Sequence, residues 1–259
     1  MDNNGLSWAF GAPASGATHG VSPKNTSFYI DGFNLYYSIL EFCDNKIQTK
    51  HGKLAHDNSC NIKTCSASKY KWINLYKLSQ RILSNHDFDL EYLKSVKLFT
   101  SKQDVDSDKF QRQEIFEKVQ KYNGVEIIYG RFDKNKGNKQ EKETDMNIAI
   151  NIIEDVLFNK IERVILISND SDFVPLIHFL KRRCKNLEII LYTPPKRITV
   201  FELRKAMCIF YDFKIDDLCK NKVKHRNIKI FNITDKLLLQ CKMNREILVD
   251  EKTIFNPYE

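Results

Sequence analysis

The sequence predicts an α/β protein, a three-layer α/β/α sandwich around a central and mainly parallel sheet. Short runs of β-branched and aromatic residues alternate along the chain with longer segments whose apolar residues recur every three or four positions. Strands that alternate with helices pair in parallel, because each helix returns the chain to the same end of the sheet. The chain has 259 residues, of which 42% are hydrophobic, with 17 Phe and 11 Tyr, so it can bury a core of ordinary size.

The elements follow one another from residue 27 onward. The predicted strands are 27–30, 95–101, 125–132, 163–167, 187–192 and 208–213. The predicted helices are 33–42, 72–83, 106–122, 144–158, 172–183 and 199–207. The helix at 144–158 has the clearest pattern, since Ile148, Ile152 and Val156 recur at the spacing of one buried face.

The remaining segments set the predicted domain organisation. Residues 1–26 are rich in Gly, Ala, Ser and Asn and predict a flexible tail. A folded domain is predicted at 27–212, with a polar insertion or long loop at 43–69 and a charged loop at 133–143. The segment 213–259 is predicted to be a basic C-terminal appendage, because residues 214–245 contain nine Lys or Arg and three Asp.

Charge and cysteine usage indicate the compartment and the partner only broadly. The net charge of +8 permits a polyanionic partner such as RNA or DNA, although many basic proteins bind neither. The seven cysteines follow no hydrophobic signal segment, and no apolar run approaches the roughly 18 residues of a membrane span. We therefore expect a cytoplasmic protein with no membrane association.

Acidic residues follow two of the predicted strands and begin one helix. Asp31 ends the strand at 27–30, and Asp170 and Asp172 follow the strand at 163–167 in "VILISNDSDF". Asp145 falls in the first turn of the 144–158 helix, where its spacing places it on the core-facing stripe. In parallel sheets, ligands bind beyond the carboxyl ends of the strands. Each acid also has an ordinary structural explanation, namely a helix cap, a helix-dipole partner or a turn residue.

Four carboxylates on one rim would repel each other. Two unit charges about 4 Å apart interact by about 4 kcal/mol at an effective dielectric of 20. Either some of these acids are protonated or a cation lies among them. An oxygen-only ligand set favours Mg²⁺ or Mn²⁺.

Four separated segments resemble the NYN family, also called LabA-like or DUF88, of the PIN-like nuclease superfamily. They are "FYIDGFNLYY", "VEIIYGRF", "EKETDMNIAINIIEDVLF" and "VILISNDSDFVPLIHFLKR", and the resemblance covers residues 27–212. It implies a PIN-like fold and an acidic Mg²⁺ or Mn²⁺ site that hydrolyses RNA phosphodiesters. The site residues it implies are Asp31, Asp145, Asp170 and Asp172, with Asn34 and Ser168 at matching polar positions. Many relatives have a Cys-x-x-Cys ribbon where this chain has "DKNKGNKQEKE", so the substrate is not carried over.

These observations predict a metal-dependent ribonuclease, with endonucleolytic cleavage favoured. A bound divalent metal lowers the pKa of water and neutralises phosphate oxygens. We expect Asp31 and Asp170 to be direct ligands, and Asp145 and Asp172 to bind directly or through water. Contacts to substrate are predicted for Asn34, Ser168, Arg131 and Lys142.

Other interpretations remain beside this one. The leading alternative is a catalytically silent NYN-like module that binds RNA or a protein. A haloacid-dehalogenase-type phosphatase would need a second Asp two residues after Asp31, where the chain has Phe33. Structural zinc is not expected at residues 43–69, which lack a Cys-x₂-Cys knuckle, and homo-oligomerisation stays open. Phe33, Tyr36 and Tyr37 could stack on bases, although their helical spacing favours the core.

Overall fold

The structure is a computed structural model that describes residues 23–51, 72–102, 108–133, 140–195, 201–208, 228–243, 247–248 and 254–255. For some of these, including 42–51, 131–133 and 140–142, only the backbone is described. Several predictions therefore lie outside the described residues. They are the tail at 1–22, the strand at 209–213, and the absence of zinc among the cysteines and histidines of 43–69.

Seven strands form one sheet in the order β4-β3-β2-β1-β5-β6-β7. They are β1 (Thr26–Asp31), β2 (Leu93–Ser101), β3 (Glu126–Asp133), β4 (Gln140–Lys142), β5 (Arg163–Ile167), β6 (Glu188–Thr193) and β7 (Ile228–Asn232). All neighbours from β3 to β7 pair in parallel, and β4 runs antiparallel to β3 at the edge. The predicted mainly parallel sheet is confirmed. Two further short strands, β8 (Ile247–Leu248) and β9 (Ile254–Phe255), pair only with each other.

Helices cover both faces of this sheet. They are α1 (Gly32–His51), α2 (Leu75–Ser84), α3 (Asp108–Tyr122), α4 (Thr144–Phe158), α5 (Val174–Arg183), α6 (Phe201–Cys208) and α7 (Asp235–Gln240). Side chains of β1 alternate between the faces, as expected for a strand. Phe28 joins a core cluster with residues of α1, α2 and α7, whereas Tyr29 joins a second cluster with residues of α4, α5 and α6. The three-layer sandwich is therefore confirmed. No helix in the described part of the chain is long and apolar enough to cross a bilayer.

A buried polar network anchors α4 to the sheet. The Asp155 carboxylate accepts hydrogen bonds from the Tyr29 hydroxyl at 2.6 Å and from the Lys97 ammonium at 2.8 Å. The Asn159 amide donates to its other oxygen at 2.9 Å. Burial alone would raise the pKa of Asp155, but the hydrogen bonds from Lys97, Tyr29 and Asn159 outweigh it and lower that pKa. The network fixes α4, whose first turn carries Asp145.

Most element bounds differ from the predictions by one to three residues, and larger or informative differences occur at α1, β4 and the start of β1. Helix α1 continues to His51, so the loop predicted from residue 43 was wrong for 43–51. The charged segment at 133–143 contains strand β4, which the sequence pattern does not predict because the strand is short and polar. Residues 23–25 precede β1, which begins one residue earlier than predicted.

The C-terminal segment is part of the domain where it is described. Strand β7 extends the central sheet beside β6, and Leu237 and Leu238 of α7 belong to the same core cluster as Phe28. The Asn74 amide also donates to the Cys241 carbonyl at 2.9 Å, which ties the segment to the start of α2. The apolar stretches "NIKIFNI" and "DKLLLQC" indicate that the predicted C-terminal appendage is folded, and residues 228–243 pack directly on the central sheet and its core.

Candidate functional site

The carboxyl ends of β1 and β5 lie side by side at one edge of the sheet. Ile30 of β1 is in register with Ile167 of β5, so Asp31 and Ser168 leave the sheet together. The chain extends the sheet in one direction from β1 and in the opposite direction from β5, so these two strands lie where its two halves join. Ligand sites of open parallel sheets form at such an edge.

Asp31 is a buried carboxylate, 4% exposed, held by hydrogen bonds at both oxygens. The Ser168 hydroxyl donates to the Oδ2 of Asp31 at 2.8 Å, and the backbone N–H of Asn34 donates to its Oδ1 at 3.0 Å. Hydrogen bonds to a carboxylate stabilise its ionised form and fix its orientation. The interpretation of Asp31-Gly32 as an ordinary turn therefore does not describe this residue fully.

The loop after β5 is folded against this carboxylate. The Asp170 amide donates to the Ser168 hydroxyl at 3.1 Å, and the Asn169 amide donates to the Asn34 Oδ1 at 3.1 Å. Asp170 in turn caps a 3₁₀ turn at Ser171–Phe173, because its Oδ1 accepts from the Asp172 amide at 2.9 Å. The capping role considered for Asp170 is confirmed, and it leaves the second carboxylate oxygen for another partner.

Gly32 permits the close approach on which this corner depends. A Cβ at that position would lie 2.6 Å from the Phe99 carbonyl oxygen and 3.1 Å from the Leu98 Cδ1. The first of these neighbours is backbone of β2 and cannot turn away. The Gly of "DGFN" is therefore required by packing, which the sequence reasoning did not identify.

Asp145 approaches the same edge from the start of α4. Thr144 is buried, and its hydroxyl lies 3.5 Å from that of Ser101, at the end of β2. Asp145 itself is exposed, so the prediction that it continues the buried stripe of α4 was wrong. The pKa of Asp145 is raised by partial burial, and further by the negative charges of Asp170 and Asp172. The structure thus brings acids of α4 and of the β5 loop within electrostatic reach of each other.

Two of the predicted substrate contacts, Ser168 and Asn34, form hydrogen bonds within the site. Ser168 is fully buried with its hydroxyl hydrogen-bonded to Asp31 and Asp170, so it positions these acids, and its contact with substrate stays a prediction. The Asn34 side chain likewise holds the loop through Asn169. Arg131 and Lys142 face each other in the β3–β4 register, but their side chains lie outside the described part.

The donor set fits a hard divalent cation in its chemistry. It consists of carboxylate oxygens. Partial burial raises the pKa of Asp145, the charges of Asp170 and Asp172 raise it further, and a cation would relieve the part that is due to those charges. Within the described residues, no three His, Cys, Asp or Glu side chains form a group ready to hold a metal ion. Asp145 and the pair Asp170 and Asp172 are near one another, but their carboxylates would have to move closer together to bind one metal ion.

Aromatic side chains stand beside this edge at the start of α1. Tyr36 and Tyr37 are 49% and 56% exposed, so the expectation that they are core residues was wrong. The buried positions of α1 are taken instead by Leu35, Ser38 and Ile39. The helical pattern predicted the helix correctly but did not distinguish its inner face from its aromatic outer face.

The fold is thus an α/β sandwich with acidic residues near the carboxyl ends of its two central strands. The NYN domain family model matches residues 26–214, and the chain belongs to this family, which lies in the PIN-like nuclease superfamily. A solved structure of a Vibrio parahaemolyticus protein of unknown function is similar, with 17% identity and a TM-score of 0.49 over 83% of this chain and 96% of that chain. A search of curated proteins found no significant match.

Proposed function

We propose that this protein is a metal-dependent ribonuclease that hydrolyses internal phosphodiester bonds of RNA at the edge formed by β1, β5 and α4. Membership of a nuclease family supports the class of reaction. The observation that carries the assignment is the buried Asp31 carboxylate, held by Ser168 where β1 and β5 end, with Asp170 in the same hydrogen-bonded loop. Helix α4, which bears Asp145, packs against the turn that follows Asp170. Carboxylates that only cap helices would not need to share one edge.

The residues divide into metal ligands and positioning groups. Asp31, Asp145 and Asp170 would hold Mg²⁺ or Mn²⁺, and Asp172 would bind it through water or orient the attacking water. The metal supplies charge relief on the phosphate and acidifies water. Ser168 and Asn34 act earlier, because they orient Asp31 and hold the loop before substrate binds. Lys142 lies three residues before Asp145 in the chain, which makes it a candidate phosphate contact, as is Arg131 opposite it.

The test is cleavage of labelled single-stranded RNA in Mg²⁺ or Mn²⁺ by the wild type and by Asp170→Asn. We expect cleavage by the wild type, loss of at least about a hundredfold in the variant, and none in EDTA. Asp87→Asn is the matched control, because Asp87 is exposed, follows α2 and has a φ of 55° that asparagine also tolerates.

Two outcomes would overturn the proposal. Cleavage that is unaffected by EDTA and by Asp170→Asn would place the chemistry elsewhere or in a contaminant. RNA binding without any cleavage, in either metal, would favour the catalytically silent binding module instead.

A further inference from the structure

Three aromatic rings form a continuous cluster in the first two turns of α1. The rings of Phe33 and Tyr37 are stacked, with centroids 6.0 Å apart and planes at 27°. The ring of Tyr36 meets that of Tyr37 edge-on, at 5.5 Å and 70°. We call these three residues the aromatic platform.

The exposure of the platform is not a by-product of packing. Leu35 and Ile39 already bury the inner face of α1 against the sheet, together with Ser38. Tyr36 and Tyr37 nevertheless remain about half exposed, at 49% and 56%. Single exposed apolar residues are common, but adjoining exposed aromatic rings are typical of binding surfaces.

The platform adjoins the acidic edge directly. Phe33 follows Asp31 by two residues, and Asn34, which holds the 168–170 loop, precedes Tyr37 by three. Residues three apart share one side of a helix, and one turn rises about 5.4 Å. The bases next to an RNA phosphate at Asp31 would therefore lie within reach of the platform.

The positive charge of Arg112 acts on the platform. The pKa of Tyr36 is raised by partial burial and then by Tyr37, while the charge of Arg112 acts in the opposite direction. Arg112 is exposed on the second turn of α3. Its guanidinium suits a phosphate backbone, whereas the neutral phenol rings suit base faces.

We propose that the aromatic platform binds the unpaired bases of a single-stranded RNA whose backbone crosses the acidic edge. The inference rests on the proposed function in taking RNA as the ligand, and it adds which side chains hold the bases beside the acidic edge. Bases inside a duplex are already stacked on each other and present only their edges, so they cannot lie on these rings.

The test measures binding separately from cleavage. Fluorescence anisotropy of a labelled single-stranded 12-nucleotide RNA, and of the same strand in a duplex, is recorded with the full chain in EDTA. We expect the single strand to bind more tightly, and Tyr37→Ala and Tyr36→Ala each to weaken that binding by about tenfold. Tyr37→Phe keeps the ring and should bind as the wild type does, whereas Tyr37→Leu keeps apolar bulk and should resemble Tyr37→Ala.

Tyr122→Ala is the matched control, since Tyr122 is 92% exposed at the far end of α3. The platform is refuted if Tyr37→Ala and Tyr36→Ala bind single-stranded RNA as tightly as Tyr122→Ala does, or if Tyr37→Leu binds as tightly as Tyr37→Phe. If Tyr36→Ala and Tyr37→Ala bind RNA as the wild type does while Asp170→Asn loses cleavage, the platform proposal fails and the nuclease proposal stands. If they lose binding while no variant or wild type cleaves RNA, the platform stands and the nuclease proposal fails.

Discussion

Ser168→Ala tests whether the hydrogen bond from Ser168 to the buried Asp31 carboxylate stabilises the fold. The Ser168 hydroxyl donates to Asp31 at 2.8 Å, and Asp31 is only 4% exposed, so water cannot readily replace the lost donor. A hydrogen bond to a charged group contributes about 1.5–3 kcal/mol. We therefore expect the substitution to lower the free energy of unfolding by about 2 kcal/mol. For a chain of this size, that corresponds to a fall in Tm of about 4–8 °C.

The assay is urea and thermal unfolding followed by circular dichroism in EDTA. Ser171→Ala is the matched control, because Ser171 is exposed three residues further along the same loop, and we expect a change within about 0.5 kcal/mol. In an Asp31→Asn background, the Ser168→Ala loss should shrink to about 1 kcal/mol, the value of a neutral hydrogen bond. Equal losses for Ser168→Ala and Ser171→Ala, or a loss unchanged by Asp31→Asn, would refute the reasoning.

Three further predictions follow from the same contacts. Gly32→Ala should lower the free energy of unfolding by about 1–3 kcal/mol, measured by urea unfolding, because its Cβ would meet the Phe99 carbonyl at 2.6 Å. Asp155→Asn should lower it by about 3 kcal/mol at pH 7, since Lys97 is left buried without its partner. Folding lowers the pKa of Asp155, so its contribution to the free energy of unfolding is present above the unfolded pKa of about 4 and is lost as pH falls through the folded pKa. Urea unfolding of the Asp155→Asn variant and the wild type should therefore show a smaller difference at pH 3 than at pH 7. Asp145→Asn should raise the Tm of the protein in EDTA at pH 7 by up to about 3 °C. Partial burial and then the charges of Asp170 and Asp172 raise the pKa of Asp145, and this penalty on its ionised form is present above that pKa and absent below about pH 4.

The sequence predicts most of the sheet because the periodic elements carry their own signal. Helix α4 and strand β5 begin and end where their apolar patterns do, at 144–158 and 163–167. The misses have physical causes. Strand β4 has three polar residues and owes its existence to pairing with β3. Helix α1 extends past Phe42, where its regular apolar spacing ends, because residues 43–51 contain neither glycine nor proline.

The candidate site could be predicted in its members but not in their roles. Acids at the ends of β1 and β5 lie at the same end of the sheet because parallel strands end together, and the alternation of strands and helices predicts that pairing. Whether a hydroxyl faces substrate or a neighbouring carboxylate depends on tertiary contacts, so the sequence did not predict the hydrogen bond from Ser168 to Asp31. Asp145 shows the same limit, since helical spacing placed it inward although the first turn of α4 opens to solvent.

The central proposal is that acids from three segments of the chain share a divalent cation at the carboxyl ends of the central strands. Crystals of the wild type and of Asp170→Asn soaked in Mn²⁺, with anomalous scattering recorded at the manganese absorption edge, test it most directly. We expect an anomalous peak among the carboxylates of Asp31, Asp145 and Asp170 in the wild type, and its loss in the variant. The absence of a peak among these carboxylates, in a protein that cleaves RNA only when Mn²⁺ is present, would contradict the proposal.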